Sequence, residues 1–251
     1  MKTFRLSLLL IVIAFASAFA SAAEVTVYAA ASLSDAFKEI APLYTKATGD
    51  TLRFNFGASG TLTRQIKEGA PADVIFSADE LRVDQLEKAG LLATGTRRTL
   101  LANTLVVVVA VEGGAPVKTL GDLAKAEVRH IAIGEPATVP VGTYTKEYLQ
   151  KTGDWKNLID KMVPLDTVRA ALAAVESGNA EAGFVYKTDA LISKKVKIAI
   201  EISPTDGPKI TYPGAVLKNA KQPAAATALV DFLAGAEAQA VFAKYGFLPP
   251  K

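Results

Sequence analysis

From Glu24 onward, short β-branched runs alternate with stretches whose apolar residues recur three or four apart. Val25-Thr26-Val27-Tyr28-Ala29-Ala30 predicts a strand, and Phe37, Ile40 and Leu43 a helix that Gly49-Asp50 ends. Residues 52–56 alternate as a second strand. Leu62 and Ile66 mark a helix that stops at Gly69, residues 73–76 a third strand, and residues 81–89 a helix closed by Gly90. Strand, small loop and helix thus recur three times, the pattern of an α/β unit with a largely parallel sheet. Residues 100–111 break the rhythm, being almost all aliphatic except for Asn103-Thr104. The run is too short for a bilayer and suits one long buried strand crossing between two lobes. The α/β pattern then resumes, with strands at 131–134, 182–186 and 196–202 and helices at 142–150 and 167–175. Residues 211–217 carry the chain back, and helices at 224–233 and 236–245 end it. The expectation is an α/β protein of two lobes with mostly parallel sheets flanked by helices. Residues 23–100 and 215–251 form one lobe, and residues 101–214 the other.

The first two dozen residues pose a separate problem. Lys2 and Arg5 precede an unbroken apolar run over residues 8–15, and Ala20-Ser21-Ala22 is a small-x-small site. Residues 1–22 are therefore read as a cleavable signal peptide. The chain carries 28 Lys and Arg against 25 Asp and Glu; without Lys2 and Arg5 the excess falls to +1. A nearly neutral remainder gives no electrostatic footprint for nucleic acid or a membrane surface. With no cysteine there is no disulfide, no thiolate nucleophile and no lipid anchor on an N-terminal Cys. An exported, unanchored protein fits a periplasm. The single histidine, His130, sits just before the apolar run 131–133, which rules out a His-rich metal site.

Ligands of open α/β sheets bind beyond the carboxyl ends of the strands. Four turns there open helices: Ala29-Ala30-Ala31-Ser32, Phe56-Gly57-Ala58-Ser59-Gly60, Pro140-Val141-Gly142-Thr143 and Asp166-Thr167-Val168-Arg169. Only the last bears a basic side chain. A helix start offers unpaired N–H groups and the positive end of a dipole, so it suits an anion without lysine. Each serine taken singly is an ordinary N-cap, so the case rests on the four turns together.

Those turns lie among Ala29-Ala30-Ala31-Ser32-Leu33, Gly69-Ala70-Pro71-Ala72-Asp73, Val139-Pro140-Val141-Gly142-Thr143-Tyr144, Val168-Arg169-Ala170-Ala171-Leu172 and Val185-Tyr186-Lys187-Thr188-Asp189-Ala190. In this order, with Tyr245-Gly246-Phe247 at the end, the chain resembles the periplasmic molybdate-binding proteins of bacterial ABC importers. The resemblance implies a type II periplasmic-binding-protein fold with the ligand in the interlobe cleft. It implies an oxyanion site of Ser32, Ser59, the amides of Val141 and Val168, and the Tyr186 hydroxyl. It also implies molybdate or tungstate as ligand, molybdenum entering only as the oxyanion. A permease and an ATPase subunit are the implied partners, with no cofactor and a monomeric state. Two positions depart from the family pattern: Val141 stands where relatives often carry alanine, and Thr167 where they often carry Asn or Asp.

Other readings attach to the same residues. Serines and amides suit sulfate or phosphate equally well. Tyr144, Tyr186 and Tyr212 are available to iron(III), though no carboxylate or histidine set joins them. An enzyme would need a nucleophile motif, and none is present. Outside any family likeness, Tyr186 reads as a strand tyrosine with its hydroxyl at the surface; Arg169 reads as a counter-charge near the ligand or, the commoner fate, as half of a surface ion pair. Asp73 and Asp189 read as caps or structural hydrogen-bonding groups, and Trp155 as a packing residue.

Overall fold

The computed structural model describes residues 22–250. The signal peptide read at residues 1–22 lies outside that range except for Ala22. Ten strands are described: β1 (Glu24–Ala30), β2 (Thr51–Gly57), β3 (Val74–Phe76), β4 (Arg98–Asn103), β5 (Leu105–Ala110), β6 (Ile131–Gly134), β7 (Met162–Leu165), β8 (Ala182–Tyr186), β9 (Val196–Glu201) and β10 (Ile210–Val216). The helices are α1 (Ser34–Thr48), α2 (Ser59–Lys67), α3 (Glu80–Lys88), α4 (Pro140–Thr152), α5 (Trp155–Leu158), α6 (Val168–Glu176), α7 (Lys187–Leu191), α8 (Pro223–Ala234) and α9 (Ala236–Lys244).

The strands form two five-stranded sheets, ordered β2-β1-β3-β10-β4 and β7-β6-β8-β5-β9. Each sheet is mixed rather than mostly parallel. In the first, β1 runs parallel to β2 and β3, while β10 is antiparallel to β3 and β4. In the second, β6 is parallel to β7 and β8, while β5 is antiparallel to β8 and β9. The antiparallel pairings involve the strands that leave or re-enter a sheet. Parallel neighbours arise where a helix returns the chain to the same edge.

Residues 100–111 are two strands, not the single long one that their composition suggests. β4 ladders with β10 and β5 with β8, so the chain changes sheets at Thr104. There the Thr104 amide turns aside to donate to Asn103 Oδ1 at 2.9 Å, and the Thr104 carbonyl accepts from Lys187 N at 2.9 Å. The polar pair in the apolar run marks that switch.

Burial explains the rest of the pattern. In β5, residues 105–109 are all fully buried, as expected of a central strand covered on both faces. In the first lobe the Phe37 ring lies 5.4–5.9 Å from those of Phe54, Phe76 and Phe242, joining α1 and α9 to the sheet. Asp73 holds chain ends together, as its reading suggested: it accepts from Thr26 N at 2.8 Å and Lys221 N at 2.6 Å. Trp155 is partly buried against the core.

Two glycines permit close main-chain approaches, the first between the halves and the second within one of them. Gly60, in the first turn of α2, donates its amide to the Thr138 carbonyl at 3.0 Å, and a Cβ there would strike Thr138. A Cβ on Gly142, in the first turn of α4, would run into the carbonyl oxygen of Gly134. The start of α4 therefore sits hard against the end of β6. Arg82 Nη2 adds a bond to the Ala137 carbonyl at 2.7 Å.

Arg169 supplies the charged tie, so the surface ion pair expected of it is corrected. Its side chain is three-quarters buried, 2.7 Å from Asp35 Oδ2 on α1 and 2.6 Å from Asp189 Oδ1 on α7. The close approach to Asp189 is an ion pair whose angles do not meet hydrogen-bond geometry. Burial pushes the Asp189 carboxyl up to about 6 from an ordinary 3.8, with Arg169 pulling the other way.

Gly142→Ala is expected to destabilise by about 1–3 kcal/mol, since the carbonyl it strikes belongs to a central strand. At roughly 2–4 °C per kcal/mol a thermal melt will resolve this, and an unaltered melting temperature would mean that α4 can slide freely. Because Asp189 holds its proton more tightly folded than unfolded, its contribution to stability falls as pH rises from about 4 to about 6. Asp189→Asn should flatten that slope in denaturant titrations, while Arg169 keeps Asp35; a slope identical to that of the parent chain would place the titration elsewhere.

Candidate functional site

The carboxyl ends of five strands meet over one cavity. After β1 the chain makes a short 3-10 turn carrying Ser32, after β2 it enters α2 at Ser59, and the loop after β6 opens α4 at Pro140-Val141. β7 leads into α6 at Val168, and β8 ends on Tyr186 itself. These segments bring Ser32, Ser59, Val141, Val168 and Tyr186 together as the lining of one small pocket. Small residues alternate with them: Ala30, Ala31, Gly57, Ala58 and Ala78 keep side chains out of the space. None of the lining residues is charged.

Tyr186, Ser59 and the two helix-start amides each have a donor with no acceptor among the described residues, and Ser32 shares its hydroxyl with Tyr212. A helix's first N–H groups have no acceptor within the helix. At α4 the N-cap is Val139, which has no side-chain acceptor, and Pro140 has no N–H to compete, so the Val141 amide faces the cavity unpaired. At α6 the Thr167 hydroxyl caps by accepting from Ala170 N at 3.0 Å, which leaves the Val168 amide unused. Threonine thus caps at the position where the family pattern carries Asn or Asp. Ser59 Oγ accepts from Ala78 N at 3.0 Å, so its own hydrogen is available. Ser32 Oγ lies 3.1 Å from Tyr212 Oη.

Tyr186 overturns the surface reading of its hydroxyl. The residue is 1 % exposed, and its Oη finds no partner among the described residues. Burial pushes the phenol well above its ordinary value, so the group remains an O–H donor at any physiological pH. A buried hydroxyl without a partner is uncommon and calls for an explanation such as an absent ligand. His130 is exposed and lies far from this chemistry, donating its backbone amide to Glu181.

Sequence reasoning missed the groups behind the serines. Ala78 N, Tyr212 and Asn103 all orient a hydroxyl from a distant part of the chain, and nothing local distinguishes them. A wider groove bordered by Glu24, Arg53, Asp73 and Lys221 mixes both charges and has no such converging helix starts.

What the cavity can do is accept an anion into a shell of N–H and O–H dipoles. Comparison with known proteins places the chain in a family. The model of the family described as "Bacterial extracellular solute-binding protein" matches residues 25–248. The molybdate-binding protein ModA of Escherichia coli is 39% identical over 235 residues, covering 92% of this chain and 91% of that protein. A Bacillus subtilis protein named as a putative ABC transporter substrate-binding lipoprotein, YvgL, is 42% identical over 223 residues, covering 88% and 85%. The structure of the periplasmic molybdate-binding protein of Azotobacter vinelandii superposes with a TM-score of 0.82 at 26% identity, over 90% of this chain and all of that one. The fold is that of the type II periplasmic binding proteins, and the chain belongs to the bacterial extracellular solute-binding proteins, in the family of the molybdate-binding proteins.

Proposed function

We propose that this chain captures a tetrahedral oxyanion, molybdate with tungstate beside it, and hands it to the permease and ATPase subunits of an ABC importer. One observation carries the reading: a pocket lined by uncharged residues that includes a buried tyrosine hydroxyl with no partner among the described residues. Ser32, Ser59, Tyr186 and the amides of Val141 and Val168 are the ligand-binding groups in this account. The relatives named for molybdate support the choice of ligand. The chain acts as a monomeric periplasmic receptor. It has no cysteine to carry a lipid, unlike a relative named as a lipoprotein. Its two lobes, one built around each sheet, close over the anion.

The chemistry is capture, not turnover. Hydrogen bonds to a charged group contribute roughly 1.5–3 kcal/mol each, and every 1.4 kcal/mol is about tenfold in affinity. Five such bonds leave room for sub-micromolar binding after the cost of ordering and closing the lobes. Selectivity has two sources. A lining that offers donors disfavours a protonated phosphate, whose O–H would seek an acceptor. Cavity size then separates molybdate and tungstate from the smaller sulfate. The reading as an iron(III) site is weakened by Tyr212, whose hydroxyl is engaged by Ser32 and Asn103.

Isothermal titration of residues 23–251 with molybdate, tungstate, sulfate and phosphate at neutral pH tests the assignment. Tight one-to-one binding of the first two with weak or silent sulfate and phosphate is expected; heat from sulfate or phosphate alone would reassign the ligand. Tyr186→Phe should weaken molybdate binding about 10–100-fold through one lost charge-assisted bond. Undiminished affinity in that variant would remove the hydroxyl from the site.

A further inference from the structure

Behind Ser32 runs a buried line of polar side chains drawn from three distant parts of the chain. Tyr212 Oη lies 3.1 Å from Ser32 Oγ and 3.1 Å from Asn103 Nδ2, and the same Nδ2 donates to Thr188 Oγ1 at 2.9 Å. Ser32, Asn103, Thr188 and Tyr212 are each more than nine-tenths buried. The direction of every proton follows from one end. The Thr104 amide can only donate, and it donates to Asn103 Oδ1. The Asn103 oxygen therefore faces Thr104, and its NH₂ faces Tyr212 and Thr188. Tyr212 Oη accepts from Asn103, and its own hydrogen has Ser32 Oγ as its acceptor. Were Ser32 the donor instead, the phenolic hydrogen would be buried with no partner. Ser32 is thus forced to accept from Tyr212, which leaves its hydrogen for the cavity. Ser59 reaches the same state by accepting from Ala78 N.

We propose that Tyr212, set by Asn103, is a positioning residue that fixes the Ser32 proton toward the cavity and so makes Ser32 a donor to a bare oxyanion. The inference rests on the reading of Ser32 as a ligand-binding group. Its distinctive consequence is reversal. Asn103→Asp replaces the NH₂ with a carboxylate oxygen that takes the Tyr212 hydrogen. Tyr212 Oη then becomes the acceptor for Ser32, and the anion loses a donor. Deleting the Tyr212 hydroxyl in that background removes the competing acceptor and returns the Ser32 hydrogen to the anion. A residue that only supported the fold would behave oppositely, with the second substitution adding to the damage.

The test is titration with sodium molybdate at pH 8, with thermal melts alongside, on the parent chain, Asn103→Asp, and Asn103→Asp with Tyr212→Phe. The single variant should bind about 10–100-fold more weakly, and the double should regain at least about fivefold of that loss. A double variant that binds no better than the single overturns the proposal. If Asn103→Asp does not fold, the pair Tyr212→Phe and Ser32→Ala decides. Tyr212→Phe should cost about 3–10-fold with Ser32 present and less than about twofold in Ser32→Ala, because the polarised Ser32 hydroxyl is then missing. Equal losses in both backgrounds overturn the proposal. A parent chain that binds none of molybdate, tungstate or sulfate overturns the ligand reading itself, a failure visible before any variant is made.

Discussion

An anion taken out of water without a counter-charge must be met by dipoles already pointing at it, and every other feature of this molecule serves that requirement. Donors left unpaired inside a protein are costly, and folded chains satisfy nearly all of them. Here the Tyr186 hydroxyl is left unpaired at 1 % exposure, and two helix starts keep their amides free by capping with Val139 or with a threonine committed elsewhere. Such a shell survives only if its supports cannot relax to satisfy it. Two sheets with fully buried central strands provide that rigidity, and all five donors stand at strand ends or in the first turns that follow them.

Closure makes the same demand on the backbone. The lining segments come from both sheets, so the halves must approach until main-chain atoms touch. Gly60 against Thr138 is where they do, while Gly142 against Gly134 seats α4 on β6 within one half; neither position has space for a methyl group. The antiparallel strands belong to this arrangement. β4 hands the chain to β5 at Thr104 and β10 receives it back, so the crossings run behind the cavity. Asn103 ends β4 and Tyr212 lies on β10, the strands at the two crossings, and Thr188 at the start of α7 meets Asn103 there, so the residues that orient Ser32 gather where the chain passes between the sheets.

How much of this is legible in the sequence depends on the range of the interaction. Strand, turn and helix repeats declare themselves because side-chain period is local, and Ser32 and Ser59 stand out as hydroxyls at helix starts. The converging amides of Val141 and Val168 need the family resemblance, since an amide has no residue identity. β7 is not legible because Pro164 stands inside the run Met162-Val163-Pro164-Leu165, and a proline within an apolar run argues against a strand. Asn103-Thr104 looked like a blemish in an apolar run, because composition cannot tell a strand that continues from one that changes sheets. Without the family resemblance Tyr186 reads as a surface residue, because burial of a tyrosine is decided by what packs over it. Ser32 and Tyr212 are separated by 180 residues, a pairing that only the fold creates.

Arg169 shows why neutral donors rather than a cation hold the site. It follows Val168 directly, and its Nη2 reaches the Ser32 carbonyl at 3.4 Å, so a full positive charge stands one residue from the lining. Yet Asp35 and Asp189 both pair with it, at 2.7 and 2.6 Å, and it is not among the residues that line the cavity. A free guanidinium would attract any anion, carboxylates and phosphate esters included, because Coulomb attraction ignores shape. Hydrogen-bond donors at fixed positions attract only an anion whose oxygens fall where they point. By neutralising its nearest cation, the protein gives up long-range pull and keeps geometric selectivity. The same ion pairs fasten α1 and α7 to the start of α6, so the residues that mute the charge also hold the Val168 amide in its aim.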